Sequence, residues 1–207
     1  MSSSNTVLWY LSRGTGLVSL VLLSLVVVGG ILVRRGVAPA RLPRFVLLGL
    51  HRNMALLSVI FLAVHIATVV LDSYVPIDLR DAVVPFVSHY RPIWVGLGAV
   101  ALDLLLAVVV TSLLRTRIGL RVWRAVHWAA YALWPVAVVH GFGTGSDIGQ
   151  LWFQAVTLAC VTAVLGAVAW RFDTAEPAQL GLRRLPGQPG AVPRGLTGDA
   201  RPRASVR

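Results

Sequence analysis

The chain of 207 residues has five histidines, and four of them form two pairs, His51 with His65 and His127 with His140, spaced fourteen and thirteen residues apart. All four lie in long apolar runs, where an ionisable side chain is costly and usually functional. On a helix rising 1.5 Å per residue, either spacing separates the two rings by roughly 20 Å. Two helices that each carry such a pair offer two facing imidazoles at each of two levels. Two imidazoles are the number needed to ligate a haem iron from both sides, held between helices. The rotation supports this unevenly. Fourteen residues bring His51 and His65 to within about 40° on an ideal helix, whereas thirteen turn His127 and His140 about 140° apart. Pro135 lies between the latter two and removes a rung of the hydrogen-bond ladder, which allows local rotation. One isolated membrane histidine is explained well enough by a hydrogen bond between helices. Four at matched depths on two helices call for a ligand.

The elements that must position these residues are apolar and long. Of the residues, 57% are hydrophobic and only 13% charged, against roughly a quarter charged in a soluble domain. Five segments reach the roughly 20 residues that cross a bilayer, over 7–33, 45–71, 92–114, 122–142 and 148–170. None alternates as a barrel strand would, and backbone in lipid must bond within its own segment. The fold class is therefore all-α, a polytopic transmembrane bundle of five spans with two haems between the second and fourth helices. Residues 1–172 are expected to form this bundle and 173–207, rich in Pro, Gly and Arg, a disordered basic cytoplasmic tail.

Charge gives the orientation. The net charge is +11, and all 19 basic residues are arginine. They cluster at the ends of apolar runs rather than on one soluble face, so nucleic acid is excluded as a partner. Arg34, Arg35, Arg41 and Arg44 fill the first loop, and Arg115, Arg117, Arg121 and Arg124 the third. The second loop holds Asp72, Asp78 and Asp81, and the fourth, 141–147, has no basic residue. The positive-inside rule puts the first and third loops and the tail in the cytoplasm and the N-terminus outside, in a multi-pass plasma-membrane protein. Helices two and four then run parallel, with His51 and His127 at the inner level and His65 and His140 at the outer. The first apolar run is longer than a signal-peptide core and is read as a retained span.

Trp9, Trp94 and Trp152 fall at outer ends and Trp123 and Trp170 at inner ends, as aromatic-belt anchors. Trp128 and Trp134 lie inside the fourth helix, where they can pack beside a cofactor. The loop 73–91 has the mixed composition of an interfacial segment. Arg13 and Arg52 are candidate partners of haem propionates, with snorkelling to headgroups as the plainer role. Asp103, inside the third span, is read as a proton relay or a protonated hydrogen-bonding group. His89 is a loop histidine, and the single cysteine, Cys160, is a small core residue.

Four stretches together resemble a known family: Trp9 to Gly16 (WYLSRGTG), His51-Arg52 with His65, Tyr90 to Gly98 (YRPIWVGLG), and Trp123 to Trp128 (WRAVHW) through His140-Gly141. They are similar to the ferric reductase-like transmembrane domain family, the membrane part of ferric reductases and NADPH oxidases, and most of all to compact actinobacterial members. The resemblance covers about residues 7–170. It implies electron transfer across the membrane through two haems b in an oxidoreductase subunit, with an electron acceptor outside. Full-length members carry a flavin and NAD(P)H domain, for which the tail here is too small. The expected donor is a separate flavoprotein, a quinol or a diffusible reductant, so that flavin enters only through a partner. Two alternatives stand beside this. One is a haem subunit, fed by quinol or flavoprotein, of a periplasmic repair system of the methionine sulfoxide reductase type. The other is a haem-free proton-coupled carrier using the histidines and Asp103.

Overall fold

The computed structural model describes residues 3–36, 43–73 and 75–173. All but the first residue of the tail 173–207, with most of the first loop, lies outside them. Seven helices follow one another: α1 (Ser3–Arg35), α2 (Arg44–Leu71), α3 (Leu79–Val83), α4 (Pro92–Leu113), α5 (Arg115–His127), α6 (Ala129–Thr144) and α7 (Leu151–Phe172). Among the described residues there is no strand. Four helices, α1, α2, α4 and α7, are long and apolar enough to cross a membrane, and they coincide with four of the five expected spans.

The remaining expected span, 122–142, is divided. α6 has 16 residues, a length of about 24 Å and fewer than the roughly 20 residues a span needs. α5 is itself interrupted at Gly119, whose φ of 79° leaves the helical region. The helical path therefore runs from Leu120 through a junction at Trp128 to Thr144. At that junction the Tyr131 N–H donates to the carbonyl of Trp128, three residues back, at 3.0 Å. A 3₁₀ turn winds about 20° more per residue than an α-helix. The extra winding rotates His127 toward the face of His140, in the sense needed to reduce their mismatch.

Side-chain contacts show which ends lie together. Arg35 donates to the Trp170 carbonyl and Arg171 to the Tyr131 hydroxyl. The ends of α1 and α7 and the start of α6 thus share one end of the bundle, rich in arginine. At the opposite end Arg13 pairs with Asp147, and Arg91 Nη1 donates to the Gly143 carbonyl at 2.7 Å. Consecutive long segments therefore alternate in direction.

The packing suits lipid. Small clusters hold the centre: Val27, Ile31, Trp134, Cys160 and Val164 in one, Ala101, Leu105 and Leu133 in another. Large apolar side chains such as Phe45, Leu113 and Leu151 face outward. Most buried hydroxyls bond inside their own helices, as the absence of water demands, whereas Thr157 Oγ1 is buried without a partner. Thr15 donates to the Leu11 carbonyl at 2.6 Å, Ser58 to Ala55 at 2.8 Å and Thr68 to Val64 at 2.9 Å.

The loop expected to be interfacial packs on the bundle and keeps Leu79, Val83 and Phe86 exposed. α3 is closed by a capping box between Asp78 and Asp81 and packs on α4. Val75, Ile77, Ala82 and Tyr90 from this loop contribute to the wall of the cavity described next.

Candidate functional site

A cavity of about 420 Å³ opens among α1, α2, α4 and α6, within the size range of cofactor sites. Leu20, Leu23, Leu62, Leu105 and Leu133 form its apolar walls, and His65 and His140 both line it. The structure thus gives His65 and His140 one shared cavity, while His51 and His127 are not among its lining residues.

Three of the four histidines are held in the same way. His65 Nδ1 lies 2.7 Å from the Ser12 carbonyl, His51 Nδ1 3.1 Å from that of Val26, and His140 Nδ1 2.8 Å from that of Trp94. A carbonyl only accepts, so each Nδ1 carries the proton and each Nε2 keeps its lone pair. In every case the residue four positions beyond that carbonyl is a glycine lying under the ring. A Cβ placed on Gly16 would stand 3.0 Å from His65, on Gly30 3.2 Å from His51, and on Gly98 2.6 Å from His140. The glycine removes the atom that would keep the imidazole off the neighbouring helix. The carbonyl, already bonded along its own helix, has a second lone pair for the ring N–H. On α1 the two cradles, Gly16 with Ser12 and Gly30 with Val26, are fourteen residues apart, matching His65 and His51 on antiparallel α2.

This arrangement fits haem ligation. A metal-ligating imidazole donates its other N–H to a carbonyl or carboxylate, which sets the tautomer and raises the basicity of the ligating nitrogen. Gly16, Gly30 and Gly98, with the carbonyls they expose, are the site residues that sequence reasoning missed. His127 is the exception: its Nδ1 is buried and has no partner, and its ring lies against Trp123, centroids 4.9 Å apart.

The other candidates are placed as follows. Arg13 lines the cavity, pairs with Asp147 and lies over the Trp9 ring at 3.8 Å. Arg52 is exposed on α2. Asp103 is exposed on α4 and does not line the cavity, whereas its neighbours Leu102 and Leu105 do. Trp134 is buried, donates to Ser24 Oγ at 2.9 Å and packs away from the cavity. Trp128 is exposed under the guanidinium of Arg171, and His89 is exposed.

Helices of membrane-spanning length, with three carbonyl-anchored imidazoles between them, define a multi-pass integral membrane protein. Residues 15–138, more than half of the chain, match the family described as ferric reductase like transmembrane component, and the chain belongs to that family. The match includes His51, His65 and His127 and ends two residues before His140. No curated protein and no solved structure gives a match.

Proposed function

We propose that this protein carries electrons across the plasma membrane through two haems b, one held by His51 and His127 and the other by His65 and His140. The observation that carries the reading is the repeated anchoring of imidazole Nδ1 on a carbonyl beside a glycine, at two levels about 20 Å apart. Bound haem supplies one-electron chemistry at its iron. The residues of the chain present Nε2 lone pairs, exclude water with the leucines of the cavity wall, and close its outer end with the loop that carries Tyr90. In this reading the α5–α6 path is the fifth span, and the N-terminus is outside. The arginine-rich face is then cytoplasmic, which makes His51 and His127 the inner pair.

Family membership supports electron transfer as the activity. On the inner face Arg52, Arg115, Arg117, Arg121 and Arg124 are all exposed. This basic surface suits an acidic flavoprotein donor, which it would steer toward the inner pair. Asp103 is exposed on α4 and does not line the cavity shared by His65 and His140, which gives the proton-coupled carrier no support. Haem-loaded protein in vesicles tests the reading. A reduced flavoprotein on the arginine-rich side should reduce a ferric chelate held on the other side, at a rate that falls as salt screens the arginines. Loaded vesicles in which no electrons reach the trapped chelate would contradict it.

A further inference from the structure

The fourth corner of the site differs from the other three. His51, His65 and His140 each donate Nδ1–H to a carbonyl beside a glycine, whereas the buried Nδ1 of His127 has no partner. Trp123, whose ring lies against His127, donates to Ser112 Oγ on α4. The residues there are Thr111 and Ser112 in place of glycine. Their hydroxyls bond back to their own helix, Thr111 to the Ala107 carbonyl and Ser112 to the Val108 carbonyl, both at 2.6 Å.

His127 is also the least firmly mounted of the four. It ends a short helical stretch bounded by Gly119, at φ 79°, and by the 3₁₀ turn at Trp128. The other three sit inside longer helices, α2 and α6. Loss of the outer-shell partner of a metal ligand weakens the metal bond by about 10–100-fold.

From these two independent features we propose that His127 is a displaceable ligand, and that the inner haem iron has an exchangeable coordination position open to small neutral π-acceptor ligands, while the outer iron is closed to them. The proposal rests on the two-haem reading. The inner site is then both the entry point for electrons and the one place where a diatomic ligand can interrupt the path.

Carbon monoxide added to the dithionite-reduced, full-length protein is the test, with haem counted separately as the pyridine haemochrome. The expected result is two haems and one carbon monoxide per chain. His127→Ala that keeps both haems should still bind one, about tenfold or more tightly, because no internal ligand competes. His140→Ala that keeps both haems should bind two. If a variant sheds the haem it was meant to open, His127→Ala should bind none and His140→Ala should still bind one, so either behaviour discriminates. Two haems with no carbon monoxide bound, or with two bound, would overturn the proposal and leave the two-haem reading standing. So would a pattern in which His127→Ala gains a second site. Fewer than two haems in the wild type would overturn both.

Discussion

An imidazole can ligate a metal only if one nitrogen is free of its proton, and the carbonyls of Ser12, Val26 and Trp94 leave three rings in that state. The cradle does so by subtraction. At Gly98 a methyl group would stand 2.6 Å from the His140 ring, and at Gly16 3.0 Å from the His65 ring. Gly98→Ala should push His140 off the Trp94 carbonyl and cost about 1–3 kcal/mol in overpacking. The expected outcome is one haem per chain instead of two, with a lower Tm. Gly16→Ala should show the same effect more weakly. Gly14→Ala, which meets nothing within 4 Å, should leave haem content unchanged. Equal haem content in Gly98→Ala and Gly14→Ala would mean that the cradle does not hold the ligand. Of this site, the histidines were legible in the sequence, because imidazoles at matched depths in apolar runs stand out. The glycines were not, because which glycine faces which ring is a tertiary fact. The signal that could have found them is the shared fourteen-residue interval of Gly16 and Gly30 with His51 and His65.

At the scale of elements, long apolar runs translated directly into α1, α2, α4 and α7, since lipid leaves a lone segment no alternative to a helix. The fourth span did not translate as simply. Pro135 announced a disturbance there, yet the junction falls at Trp128 and the non-helical residue at Gly119. Proline leaves the carbonyl four residues back, that of Tyr131, without its usual donor, so its effect is felt upstream of itself. Arg13, a candidate for a propionate or for the headgroups, pairs with Asp147, tying α1 to the connection between α6 and α7. Loop four had been read only for its lack of basic residues, which concealed the acid that Arg13 needs. The pair is largely sheltered, at 22% and 13% exposure, so a charge-assisted bond worth about 2 kcal/mol is expected. In a double-mutant cycle Arg13→Ala and Asp147→Ala should each lower stability by a similar amount, and the double variant by little more than either. Haem content should stay at two in both single variants. Loss of the outer haem in Arg13→Ala alone would assign Arg13 to the cofactor instead.

For the whole molecule, the direction of electron flow depends on which face is cytoplasmic. The alternation of ends seen in the contacts of Arg35 with Trp170 and Arg13 with Asp147 is compatible with either absolute orientation, and the proposed one rests on the arginines and the positive-inside rule. Single cysteines introduced into a Cys160→Ser background should react with an impermeant reagent from outside at Ser73 and His89, and only after permeabilisation at Arg117 and Arg121. The opposite labelling would exchange the inner and outer haems and place the basic docking face outside the cell. The central claim is narrower than direction and more easily reached: four histidines form two complete sites. Haem counted per purified chain, in the wild type and in four single variants, tests it most directly. The account predicts two low-spin b haems in the wild type and one in each of His51→Ala, His127→Ala, His65→Ala and His140→Ala, or two with one carrying an opened coordination position. A folded wild-type chain without haem, or four variants whose haem content and spectrum match the wild type, would contradict it.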